Sequence, residues 1–267
     1  MLTIKNLTKY FAKNTPHETL ALDKFNLRIR KGDFITIIGS NGAGKSTLLN
    51  LIAGTLWQNQ GEIKLSGKLI SNQAEYKRAR WIGRVFQNPL MGTAPYMTVE
   101  ENLSLSIKRQ GRGLGLGINK KLQKYFREKL SELNMGLEDN ISKKVGLLSG
   151  GQRQAMTMLM ATMFKPKVLL LDEHTAALDP ESSKKILKLT QNLVKERQGD
   201  LITLMVTHNM KQALDVGNRT VMMDRGQNIY DVHGTERKKV TVEDLIQQFS
   251  SLGNRKDKYV EDRMVLV

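Results

Sequence analysis

Short apolar runs and longer helical periodicities alternate along most of this chain. Residues 2–11, Leu-Thr-Ile-Lys-Asn-Leu-Thr-Lys-Tyr-Phe, read as an edge-like strand, and the polar residues 12–19 with Pro16 as a loop. Phe25, Leu27 and Ile29 alternate with polar neighbours and predict a second strand. Lys31-Gly32-Asp33 then turns into Phe34-Ile-Thr-Ile-Ile38, an apolar, β-branched run of the kind buried in parallel sheets. Leu48 to Ala53 begins a helix, residues 61–67 and 68–70 form a short hairpin, and residues 82–86 are another strand. From Thr98 to Phe164 a helical pattern dominates, opened by Thr98-Val-Glu-Glu101 in capping-box spacing. Alternation returns with the buried strand Val168-Leu-Leu-Leu171 and a helix over residues 182–196, with Ile186, Leu187, Leu189 and Leu193 facing inward. A buried strand at 201–206 and a hairpin at 220–232 follow. Thr241-Val-Glu-Asp244 caps a last helix, and a polar, poorly ordered end is expected beyond residue 251. The glycine-rich stretch 111–117 reads as a loop, since no strand precedes it.

Composition narrows the class. With 267 residues the chain suits one large domain or two small ones. It has no cysteine, which excludes a disulfide framework and cysteine-ligated zinc and fits a reducing compartment. No apolar run approaches the roughly 18 residues a spanning helix needs. The N-terminus starts directly as a strand, without signal-peptide regions, so a soluble cytoplasmic protein is expected. The formal charge of +16 fits either nucleic-acid binding or docking near an anionic membrane. Residues 105–130 concentrate it in Lys108, Arg109, Arg112, Lys120, Lys121, Lys124, Arg127 and Lys129 against the single acid Glu128. A solvated basic face explains that run equally well.

The sharpest chemical signal is Gly39-Ser40-Asn41-Gly42-Ala43-Gly44-Lys45-Ser46-Thr47, which fits G-x-x-x-x-G-K-[ST] between a strand and a helix. Its glycines let successive backbone N–H groups point inward, and the helix N-terminus adds a positive dipole end. Lys45 would reach the β- and γ-phosphates and the Ser46 hydroxyl would ligate Mg²⁺, so a nucleotide triphosphate is expected here.

A second constellation shares that destination. Val168-Leu-Leu-Leu-Asp172 delivers an aspartate from an apolar strand toward a metal, and Glu173 follows where a carboxylate could polarise water. Leu148-Ser149-Gly150-Gly151-Gln152 opens a helix as another anion-binding end. Gln87 and His208 each follow a strand, at the carboxyl edge where ligands gather in parallel sheets. Each piece alone is weak; their order along the chain, with Asp179, is specific.

In that order the chain resembles an ATP-binding-cassette (ABC) ATPase subunit, over roughly residues 2–248. The resemblance implies an α/β, P-loop NTPase fold: a RecA-like core over about 2–90 and 165–248, with an N-terminal antiparallel β subdomain. A helical subdomain is inserted at about 91–164, and residues 249–267 form a tail. It implies ATP and Mg²⁺ as ligands, and two copies packed head to tail with Ser149, Gly150, Gly151 and Gln152 completing the partner's site. Glu173 resembles the catalytic carboxylate, His208 the switch histidine, and Gln87 a contact of Mg²⁺ or the attacking water. Asp172 and Ser46 belong to the metal, Lys45 to the phosphates, and Asp179 to a loop communicating across the dimer. Phe11 is the expected adenine-stacking aromatic, with Tyr10 beside it; spacing does not decide between them.

Two departures stand out. His174 replaces the proline usual after the catalytic glutamate, and a second arginine is missing near Ala155. A structural role is expected of His174. With residues 83–95 these features resemble an uptake subgroup of tryptophan/tyrosine type, whose permease is similar to branched-chain amino-acid permeases. The implied function is ATP hydrolysis powering bacterial import of an amino acid or similar small solute. The ATPase would be peripheral on the cytoplasmic face of the membrane, with permease subunits and a substrate-binding protein as partners and no nucleic acid. An exporter ATPase, or a non-transport ABC ATPase acting on nucleic acid, are the alternatives.

Overall fold

A computed structural model of the chain describes residues 1–108, 118–197 and 199–252. The glycine-rich stretch 111–117 and the apolar end 264–267 lie outside them. Two compact units divide the chain, one of Met1–Arg78 with Gly199–Val267, the other Ala79–Gln198.

The first unit opens with β1 (Leu2–Phe11) and β2 (Thr19–Ile29), then β3 (Phe34–Gly39), α1 (Lys45–Ala53), the hairpin β4 (Gln60–Leu65) and β5 (Lys68–Leu69), and the single turn α2 (Glu75–Arg78). An antiparallel sheet runs in the order β2-β1-β4-β5. Strand β1 is therefore not an edge: Ile4 pairs with both Leu27 and Ile63. Alternation shows which side chains are buried, and says nothing of how many neighbours the backbone bonds. Phe25, Leu27 and Ile29 are buried as their alternation implies, and β2 begins earlier, at Thr19.

The second unit holds β6 (Ile82–Val85), α3 (Val99–Lys108), α4 (Lys120–Ser131), α5 (Gly150–Thr162), β7 (Val168–Asp172) and α6 (Pro180–Lys195). Strands β6 and β7 pair in parallel, Val85 beside Leu171. Helix α3 starts at a capping box, with Thr98 N–H on Glu101 at 2.6 Å and Glu101 N–H on the Thr98 hydroxyl at 3.3 Å. Val99, Leu103, Phe126, Leu130, Met156, Leu159 and Ile186 form the helices' common core. Along α6 the inward face is Ile186 and Thr190, while Leu187, Leu189 and Leu193 are only partly buried. The buried face therefore centres on Ile186 and a hydrogen-bonded threonine rather than on the three leucines expected there.

The chain returns to the first unit through β8 (Ile202–Val206), α7 (Met210–Asp215), β9 (Arg219–Asp224), β10 (Gln227–His233), α8 (Gly234–Arg237) and α9 (Val242–Leu252). All six residues of β3 are buried, and its run lies parallel to β8 on one side and β9 on the other. Burial on both faces explains the unbroken apolar sequence. Helix α9 carries its own capping box between Thr241 and Asp244 and extends to Leu252, packing Leu245 against Ile38, Met210 and Met222.

Candidate nucleotide site

In the first unit β3 delivers the chain into the phosphate loop. Gly44 has φ of 95°, and a Cβ there would stand 2.4 Å from the Ala21 carbonyl oxygen, so this position admits only glycine. Lys45 curls back across the loop, its Nζ donating to the carbonyls of Gly39 at 2.7 Å and Ser40 at 2.8 Å. The loop is closed by Ala43 N–H on Ser40 O and braced by Gly226 N–H on Ala43 O. Helix α1 has no side-chain cap and no acidic residue in its first turn, so no carboxylate of that turn offsets the positive end of its dipole, and Ser46 there is exposed.

At the end of β8, Thr207 and Asn209 fix the backbone on either side of His208. The Thr207 hydroxyl donates to Gln212 Oε1 at 2.6 Å, and the Asn209 side-chain Oδ1 accepts the Gln212 N–H at 2.7 Å as the cap of α7. Phe11, at the end of β1, is 39% exposed with Lys9 Nζ 5.3 Å from its ring centre; Tyr10 has a similar neighbour in Lys13 at 5.5 Å.

The second unit gathers the remaining residues. Strand β7 ends in Asp172, whose carboxylate lies 3.4 Å from Arg84 Nη2; the same guanidinium lies over Phe86 at 4.5 Å. Glu173 follows in a left-handed backbone conformation, φ 43°. His174 is 2% exposed and bonded to Thr190 of α6, and burial pushes its pKa down to about 4. It is a neutral, interior side chain. Asp179 caps α6, accepting the Ser182 N–H at 2.9 Å, and that bond holds its carboxyl below the usual aspartate range. Gln87 is exposed two residues beyond β6, and Gln154 of α5 donates to the adjacent Phe86 carbonyl at 3.4 Å.

Ser149 and Gln152 form a reciprocal capping box at the start of α5, each backbone N–H bonded to the other side chain at 3.2 Å. The box leaves Ser149 and Gly150 exposed. Arg153, one residue on, ties the preceding loop to the helix through the carbonyls of Val145, Gly146 and Leu148. Sequence reasoning gave no part to Arg153, Arg84 or Gln154; their adjacency to motif residues was the available signal.

The first unit thus holds Phe11, Gly39 to Thr47 and His208; the second holds Gln87, Ser149 to Gln152, Asp172 and Glu173. Among the described residues no group of three or more His, Cys, Asp or Glu side chains is placed to hold a metal.

Residues 22–176 match the ABC transporter family, and the chain belongs to that family: it is an ATP-binding cassette, an ATPase of α/β fold. A tyrosine transport ATP-binding protein of Clostridioides difficile (strain R20291) is 44% identical over 253 residues, covering 93% of this chain and 98% of that protein. Among solved structures, the dimeric post-hydrolysis state of the cassette MJ0796 bound to ADP and Pi aligns with a TM-score of 0.74 and 29% identity, covering 87% of this chain and 98% of that one. The ADP conformation of the ABC transporter cassette MJ1267 aligns at 0.76 and 27% identity, covering 94% and 98%.

Proposed function

We propose that the chain powers bacterial import of an amino acid or similar small solute, working as a head-to-tail pair beneath permease subunits on the cytoplasmic face of the membrane. Likeness to the tyrosine transport protein along nearly the whole of both chains supports the importer assignment. No described helix is long and apolar enough to cross a membrane, so the path for solute belongs to the permease, and a substrate-binding protein would deliver it.

The observation that carries the paired arrangement is internal. One chain has two motif-bearing helix starts, an uncapped one at Gly44 and a self-capped, exposed one at Ser149, in different compact units, and both are read here as anion-binding. A second ligand per chain is not required if each copy lends Ser149 to Gln152 to the other's nucleotide. In this reading Gly39 to Thr47 cradle the phosphates of ATP, Lys45 holds the γ-phosphate, and Phe11 stacks on adenine. Ser46, Gln87 and Asp172 would hold Mg²⁺, which supplies positive charge to the phosphate oxygens when bound. Glu173 accepts the proton of the attacking water, and His208 contacts the γ-phosphate.

Glu173→Gln tests the assignment. That variant is expected to bind ATP, lose turnover and accumulate as a dimer in size-exclusion chromatography; ordinary hydrolysis by it would overturn the role of Glu173. Solute-stimulated hydrolysis in vesicles with the cognate permease and binding protein, compared across aromatic and branched-chain amino acids, tests the direction and the solute class.

A further inference from the structure

The residue after Glu173 is built into the fold in a way the nucleotide chemistry does not require. Glu173 is not glycine, yet its φ is 43°, and its carbonyl accepts the Ala176 N–H at 2.9 Å to close a tight turn. A side chain in this region of backbone space stays there only when its surroundings hold it. His174 supplies such a hold: its ring is buried, with Nε2 3.2 Å from Thr190 Oγ1 in the middle of α6. The Thr190 hydroxyl donates its one hydrogen to the Ile186 carbonyl at 2.8 Å. It therefore receives the second bond, and Nε2 is the protonated ring nitrogen. At the far end of the same segment, Asp179 is bonded to Ser182 N–H at the start of α6. Residues 173–179 are thus fastened to one helix at both ends.

We propose that His174 and Thr190 are a positioning pair for the hydrolytic reaction: the buried Nε2–Oγ1 bond holds the left-handed turn at Glu173 and so fixes where its carboxylate is presented. The inference rests on the reading of Glu173 as the base. A threonine on the buried stripe of an amphipathic helix is costly unless its hydroxyl is bonded, and here both bonding roles are filled.

The test uses the full chain, with kcat and KM for ATP measured at a temperature where each variant is folded by circular dichroism. Glutamine places its amide nitrogen near the position of histidine Nε2, whereas asparagine reaches only as far as Nδ1. His174→Gln is therefore expected to keep kcat within about 3-fold. His174→Asn and Thr190→Val should each lower kcat by about 10- to 100-fold, the scale of a carboxylate misplaced by ~1 Å, with KM unchanged. The double variant should be no slower than either single one, because both remove the same bond. Wild-type kcat in folded His174→Asn or Thr190→Val would overturn the pairing, as would a His174→Gln enzyme as slow as His174→Asn. Glu173→Gln run beside them separates the two claims. If it hydrolyses ATP normally, the base assignment itself fails; if it is inactive while His174→Asn is not, the positioning inference alone fails.

Discussion

The guanidinium of Arg78 occupies the space that a side chain on Gly54 would take: a Cβ at residue 54 would stand 2.7 Å from Arg78 Nε. Gly54 ends α1, the helix that starts at the phosphate loop, with φ of 90°. Arg78 donates to the Leu51 and Ile52 carbonyls of that helix end at 2.6 and 3.1 Å, and to Gln73 and Ser71 carbonyls at 2.8 and 2.7 Å. It is wholly buried, and desolvation pushes its pKa down to about 10, so it stays charged at neutral pH. A buried cation at the carboxyl end of α1 complements the helix dipole whose positive end faces the nucleotide loop.

Arg78→Leu keeps the bulk and strands those carbonyls, each unmet bond costing about 1–3 kcal/mol. The variant is expected to lose at least ~3 kcal/mol in urea unfolding, and a loss below ~1 kcal/mol would show the clamp to be dispensable. Gly54→Ala combines a strained φ with the collision and should cost about 1–3 kcal/mol by the same measurement.

The start of α5 depends on a second tight glycine. A Cβ on Gly151 would approach Ser182 Oγ to 2.9 Å and its Cβ to 3.2 Å. Gly151→Ala is expected to push the Ser149 to Gln152 turn away from α6 and to lower hydrolysis about 10-fold or more. Ser182→Ala removes the nearer atom, so Gly151→Ala/Ser182→Ala should recover part of the lost rate. Equal activity in the single and double variants would mean that crowding is not the cause.

Acid should weaken the fold through His174. Its pKa is about 4 in the folded chain against an ordinary 6.5. Between those values the unfolded chain binds a proton that the folded one refuses, so stability is full above pH 6.5 and declines as pH falls toward 4. The decline from this group is about 2 kcal/mol by pH 5. Urea unfolding of the nucleotide-free protein at pH 7 and pH 5 measures it, and His174→Gln should flatten the difference. The same pH dependence in that variant would place the titration elsewhere.

What was legible in the sequence followed from periodicity and motif. The run Phe34 to Ile38, the glycine turn and α1 were readable because a two-faced buried strand and a phosphate loop constrain nearly every position. The caps at Thr98 and Thr241 were readable because their partners lie three residues away, whereas Ser149 to Gln152, at the same spacing, was read only as an anion-binding helix start and proves to be a capping box. What escaped depends on partners distant in sequence. No pattern in the sequence singled out Arg78 or Arg237, yet each is buried and grips helix-end carbonyls, Arg237 those of Ala213 and Leu214 near the end of α7. Thr190 carried no signal in the sequence, and its burial follows from its bonds to the Ile186 carbonyl and to His174. The role of β1 in the middle of its sheet depends on the hairpin β4–β5, some sixty residues on, which alternation in β1 cannot encode.

The strongest check on the paired site is complementation between two disabled subunits. Lys45→Ala removes the side chain that bridges the Gly39 and Ser40 carbonyls and leaves the Ser149 turn intact. Ser149→Arg does the opposite, breaking the capping box at α5 and placing a bulky cation where the partner's phosphate would lie. Each variant alone should be inactive in either arrangement of sites. In a mixed pair joined head to tail, one nucleotide meets the intact loop of the Ser149→Arg chain and the intact turn of the Lys45→Ala chain. With random pairing half the dimers are mixed and each has one working site of two, so an equal mixture should recover about a quarter of wild-type hydrolysis. If each chain instead used its own Ser149 to Gln152, no pairing would restore a site. The mixture would then hydrolyse no faster than the sum of its parts, and the head-to-tail arrangement would be wrong for this protein.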